Sequence, residues 1–153
     1  MKKRHPLSSA VCGTLLLTAA QLHANAPPGR YSVDDTAGSV TDEHTKLVWQ
    51  RTAAPGSMYW TEAKDYCAGL KLSGQGWRLP KYKELMTLVD FMRSNPAIDT
   101  EAFPNAPADA FWTASTLVDD GKPYWVDFKT GAGHNDDPKG LAGERMLRVR
   151  CVR

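Results

Sequence analysis

The residues whose type and spacing could do chemistry are few, and the clearest are cationic. Arg148 and Arg150 stand two apart in Met146-Leu147-Arg148-Val149-Arg150-Cys151-Val152. In an extended strand that spacing puts both guanidinium groups on one face, with Leu147, Val149 and Cys151 on the other. A guanidinium grips sulfate or carboxylate through a planar two-pronged fork. Arg148 and Arg150, with Lys129 and Lys139 nearby in sequence, therefore make a candidate site for an acidic glycan. The competing use of the same charges is cross-strand pairing with acids such as Asp127.

Other reactive residue types fall short of a constellation. Asp34-Asp35, Asp119-Asp120 and Asp136-Asp137 lie beside turns. Calcium needs several oxygens converging on one point, and these pairs read as solvated turns. His44 and His134 share no metal-ligand spacing with the cysteines and read as surface turn residues. Ser73 and Ser115 lack the surroundings of a nucleophile elbow. Glu84 and Asp90 are six apart, so a helix would not bring them to one face. No metal, cofactor or catalytic residue is expected, and the chain reads as a protein that is not an enzyme. Of the five tryptophans, Trp49, Trp77, Trp112 and Trp125 sit in strand-like motifs and read as core. Trp60, beside a loop, is expected to be partly exposed.

Residues 1–26 read as a signal peptide. Lys2, Lys3 and Arg4 precede an apolar run from Val11 to Ala20, and Ala24 or Ala26 supplies the small-residue cleavage site. The run is too short for an ordinary membrane span, and no membrane insertion is expected after processing. Residues 27–153 are one domain by length. Without the three cations of the leader, 16 Lys and Arg face 17 Asp and Glu, so bulk charge offers nothing to a nucleic acid. Cys67 and Cys151 remain. An even cysteine count behind an export signal favours a disulfide, with two buried free thiols as the alternative. The protein is expected to be periplasmic, or extracellular at the cell surface.

Several elements must position these residues. Arg30–Asp35 reads as a short strand, and Val40–Asp42 with Lys46–Arg51 as a hairpin. Thr61 is placed to cap a helix whose Ala63, Tyr66, Cys67 and Leu70 share a face. Gly76-Trp77-Arg78-Leu79-Pro80 runs into a second helix, with Pro80 starting it and Leu85, Leu88, Val89 and Met92 on one apolar side. Residues 94–110 form a long ordered loop anchored by Ile98 and Phe103. Strands are expected at Phe111–Ser115, Tyr124–Phe128 and Met146–Val152, with a turn at Thr130–Gly133 and a polar loop over 134–143.

Taken in order, these motifs resemble a known family. They are Val40-Thr41-Asp42, Leu47-Val48-Trp49-Gln50-Arg51, Tyr66-Cys67, Trp77-Arg78-Leu79-Pro80, Asn95-Pro96-Ala97-Ile98-Asp99, Phe111-Trp112-Thr113-Ala114-Ser115, Trp125-Val126-Asp127-Phe128 and the closing Arg150-Cys151-Val152-Arg153. The set resembles the Lcl C-terminal domain family of bacterial secreted and surface proteins. The resemblance implies an α+β, C-type-lectin-like fold related to formylglycine-generating enzymes, with two helices packed on a twisted, mostly antiparallel sheet and long loops. Those enzymes work with a reactive cysteine pair. Here the helix and the closing strand hold both remaining cysteines, so the oxidase chemistry is not expected. The implied function is a secreted, non-catalytic binding or adhesion module for an acidic glycan or a surface protein. The alternative is a structural component of an envelope or appendage assembly.

Overall fold

The computed structural model describes residues 26–135 and 145–153. Residues 1–25 of the expected leader and Asp136, Asp137 and Lys139 lie outside the described residues. Among the described residues the architecture is α+β, with two helices and two small antiparallel sheets in place of the single sheet expected. No described helix is long and apolar enough to cross a membrane.

The first sheet has the order β1-β2-β3, from β1 (Tyr31–Asp34), β2 (Ser39–Asp42) and β3 (Val48–Gln50). The alternating Val40-Thr41-Asp42 and Val48-Trp49-Gln50 pair with Val40 opposite Trp49, and both are buried. Helix α1 (Trp60–Ala68) is capped by Tyr59 and begins two residues earlier than a Thr61 cap would allow. Glu62 explains the difference, because its Oε2 accepts the otherwise orphaned Tyr59 N–H at 3.0 Å. Ala63 and Cys67 turn the helix's buried side inward.

Helix α2 (Tyr82–Met86) is far shorter than its apolar spacing suggests. Glu84 starts it in the same way, accepting from Lys81 N at 2.7 Å. After Met86 the backbone tightens to i→i−3 bonds, as from Leu88 N to Leu85 O and from Val89 N to Met86 O. Asp90 N then leaves the helix for Ala97 O. Leu85, Leu88 and Val89 are buried as their spacing requires, but Met92 is not.

The second sheet has the order β4-β5-β6, from β4 (Ala110–Thr116), β5 (Pro123–Asp127) and β6 (Ala132–His134). Residues 132–134 thus form a strand where a turn and polar loop were expected. Gly131, at φ +80, makes the turn, and Gly133 sits under the Tyr82 ring where a Cβ would collide with the hydroxyl. His134 is a strand residue stacked on Trp125, with centroids 4.1 Å apart, not a surface turn residue.

The final segment joins the two sheets. Val48 and Arg153 exchange both backbone bonds, and Gln50 N donates to Cys151 O. Farther back in the segment, Trp112 N donates to Arg148 O, and Arg148 N donates to Ala110 O. Residues 147–153 thus lie between β3 on one side and β4 on the other, with apolar clusters on both faces. One cluster centres on Trp49, Leu85, Phe103, Phe111 and Phe128, packed by α2. The other centres on Trp77, Trp112, Trp125, Val149 and the cysteines, packed by α1. Ile98 and Phe103 are buried and anchor the 94–110 loop.

Candidate functional site

The two arginines expected on one outer face do not share one. Arg150 is 1% exposed. The alternation argument fails because the face on which Arg150 lies is covered by Phe103 and Phe111. The Arg150 Nη1 donates to the backbone carbonyls of Gln50, at 2.7 Å, and of Arg51. Its guanidinium carbon lies 4.6 Å from the Phe103 ring centroid and 6.0 Å from that of Phe111. Burial pushes this guanidinium down to about 9, still cationic at neutral pH. It is a core group, not a ligand contact.

Arg148 is 31% exposed at its side chain and paired with Asp109, Nε to Oδ2 at 3.2 Å. Lys129 is exposed on the turn after β5, and its N–H donates to Asp127 Oδ1. Ala110 and Asp127 are register partners, so Asp109 and Asp127 stand at the sheet end shared by Arg148 and Lys129. The signs there are mixed, and no continuous cationic stripe forms. Cys67 and Cys151 are joined as a disulfide between α1 and the final segment. Trp60 is half-buried, its Nε1 donating to Thr113 O with Lys64 over its ring. The other four tryptophans are buried. Among the described residues no three His, Cys, Asp or Glu side chains converge to hold a metal.

The surface offers instead an apolar turn beside a groove, which periodicity did not reveal. Phe91 and Met92 are 78% and 80% exposed. They are held there by order. Asp90 Oδ1 accepts from Met92 N at 2.9 Å, and Asp90 Oδ2 pairs with Arg93 Nε at 3.2 Å. Arg93 in turn donates to Thr100 Oγ1. The signal available in the sequence was Asp90 two residues before Met92, a local turn former interrupting the apolar spacing.

Two contiguous grooves share Pro27, Arg30, Tyr31 and Asp99. One runs past Phe91 and Met92, and the other past Val33, Glu101 and Ala102. Arg30 bonds Asp42 Oδ2 at 3.2 Å and the carbonyl of Thr87, and its guanidinium lies 4.8 Å from the Tyr31 centroid. Burial works to raise the Asp42 carboxyl, but the bonds from Arg30 and the His44 N–H outweigh it and hold Asp42 below the usual range. The Tyr31 hydroxyl is pushed well above its ordinary value by burial. Asp99 is buried and accepts from the backbone N–H groups of Ala26, Glu101 and Ala102.

No curated protein and no solved structure matches the chain. A family model, that of the Lcl C-terminal domain, matches residues 38–153, which include every element described above except β1. The chain belongs to the Lcl C-terminal domain family.

Proposed function

We propose that this chain is an exported recognition module, without catalysis of its own, that holds a surface glycan or protein. Family membership and the Cys67–Cys151 bond support an extracellular or surface domain. The observation that carries the recognition reading is the ordered Phe91–Met92 turn, two large apolar side chains displayed beside a groove. Exposed apolar groups fixed in place lose little entropy when covered and mark contact sites. This surface favours a protein over an acidic glycan, because Arg150 is buried and Arg148 is matched by Asp109. We read the fold as C-type-lectin-like, in keeping with two helices, small antiparallel sheets and a long packed loop.

The test is binding of the exported, oxidised protein to a glycan array and to a panel of surface proteins. Saturable binding by monomer is expected. Phe91→Ser with Met92→Ser should weaken it at least tenfold while leaving the thermal midpoint unchanged, since neither side chain packs inside. Incorporation into a polymer, with no saturable binding by monomer, would overturn this reading in favour of a structural component of an envelope or appendage.

A further inference from the structure

The open edge of the first sheet carries an inference that deepens the recognition reading and rests on it. The register pairs Tyr31 with Asp42, Ser32 with Thr41 and Val33 with Val40, and Glu43 N donates to Arg30 O one step earlier. Hydrogen-bonded and non-hydrogen-bonded pairs alternate in an antiparallel ladder. The Arg30 carbonyl and the backbone groups of Ser32 therefore face β2, while the Arg30 N–H donates to Pro27 O. Tyr31 and Val33 point theirs the other way, and none of those four groups bonds another described residue. The sheet's opposite edge, β3, is closed by Cys151 and Arg153. β1 is only four residues long and ends in the exposed Asp34, but it contains no Pro, Lys or bulge, and Val33 is 41% exposed.

The groove alongside this edge has Val33 and Ala102 as apolar lining and Asp99 and Glu101 as acidic lining. Asp99 is held by backbone N–H groups, which leaves its negative charge in place. Arg30, the cation among the described lining residues, is matched by Asp42. Asp34 adds a further exposed carboxylate at the end of β1.

We propose that β1 binds an extended, basic peptide segment of a partner protein by strand addition. The incoming backbone pairs with the N–H and C=O groups of Tyr31 and Val33. Its alternate side chains then enter the groove, an apolar one against Val33 and Ala102 and a Lys or Arg toward Asp99 and Glu101. Backbone pairing gives affinity, and the acidic lining selects charge. β1 precedes the stretch matched by the family model, so this edge is a feature of this chain rather than of that match.

The experiment uses two blocked octapeptides, acetyl-(Lys-Val)4-amide and acetyl-(Glu-Val)4-amide, titrated into the isotopically labelled exported protein. Amide exchange is read by NMR. The lysine peptide should slow exchange at Tyr31 and Val33 and bind at least tenfold more tightly than the glutamate peptide. Val33→Pro removes one outward donor, which an edge strand tolerates, and should cost at least tenfold in affinity with the fold intact. Glu101→Lys should erase the preference for lysine and checks the same claim without touching the strand. Absence of binding by either peptide up to about 1 mM overturns the proposal. Equal binding of both, or unchanged binding to Val33→Pro, also overturns it. So does protection of Tyr31 and Val33 before any peptide is added, whether by the chain's own preceding residues in a monomer or by a second copy in a dimer. Any of these failures leaves the Phe91–Met92 test standing, so the two readings fail separately.

Discussion

A guanidinium inside a protein must replace its water with something, and Arg150 does so in part: Nη1 bonds two backbone carbonyls and the group lies near two aromatic rings, while Nε and Nη2 have no hydrogen-bond partner among the described residues. Those contacts also satisfy the carbonyls of Gln50 and Arg51 where the final segment meets β3. Truncation would leave both oxygens unpaired and open a cavity beside Phe103. Arg150→Ala should cost at least about 2–5 kcal/mol, the range for emptying a large core site. Arg148→Ala breaks a half-exposed pair and should cost no more than about 1 kcal/mol. Denaturant melts of the two variants decide it, and equal costs would show that Arg150 is not buried. A third charge is tied to pH. Arg78 grips Glu84 with two bonds, 2.7 and 2.8 Å long, and so holds that carboxyl below the usual glutamate value. An acid whose folded pKa is depressed binds fewer protons folded than unfolded between the two values. Its stabilisation is therefore complete above the unfolded value, about 4.3, and fades as pH falls through the folded one. Since Arg78 is 43% exposed, solvent screening limits the gain. Glu84→Gln should lower stability by up to about 1 kcal/mol at neutral pH, and the gap to wild type should narrow as pH falls below the unfolded value. Urea melts at pH 7, 5 and 3 test this, and a gap as wide at pH 3 as at pH 7 would mean that charge is not its source.

Elements are where spacing along the sequence was a good guide to burial and a poor one to boundaries. Leu85, Leu88 and Val89 face the core as i, i+3 and i+4 require, even though the regular helix ends at Met86. A tightened turn keeps the same side inward for one more step, and periodicity does not distinguish the two. Met92 breaks the pattern because Asp90 caps its N–H and bends the chain outward. Leu85→Ala should therefore destabilise the protein by about 2–5 kcal/mol, whereas Met92→Ala should stay within about 0.5 kcal/mol. A large loss for Met92→Ala in thermal or denaturant melts would return that side chain to the core. β6 was hidden by its glycines, since Thr130-Gly131-Ala132-Gly133 reads as a turn until the Tyr82 ring is seen to require a residue without a Cβ. The arginine face failed for a related reason. Alternation assigns two faces to a strand, but whether either meets water depends on what covers it, and that is set by pairing partners far away in the sequence. The apolar groups of the core, the disulfide and the buried tryptophans were legible because each depends on residue type and local spacing. The groove was not, because Pro27, Tyr31, Asp99 and Phe91 meet only after the loop over 94–110 has folded back.

At the scale of the whole molecule, the final segment is the connection between two small sheets that neither stands alone nor packs as one. A three-stranded sheet with strands of three to seven residues needs a packed apolar face to be stable. Residues 147–153 bond β3, Met58, Arg78 and β4 in turn, so detaching them would strip hydrogen bonds from both sheets at once. The disulfide fixes this segment to α1 across a sequence separation of 84. Closing so long a loop lowers the entropy of the unfolded chain, worth up to about 4–5 kcal/mol in the chain-entropy model. Cys67→Ser with Cys151→Ser should therefore lower stability by a few kcal/mol, up to about that figure, while the processed wild type, without Cys12, shows no reactive thiol in denaturant. The shape of the transition tests the connection itself. Trp49 reports on the first sheet and Trp125 on the second. Because the final segment serves both, single-tryptophan versions of the disulfide-free protein should lose both signals at the same denaturant concentration, as a two-state transition requires. If Trp49 and Trp125 report separate midpoints, the sheets unfold independently, and the disulfide rather than the shared segment is what makes them one unit.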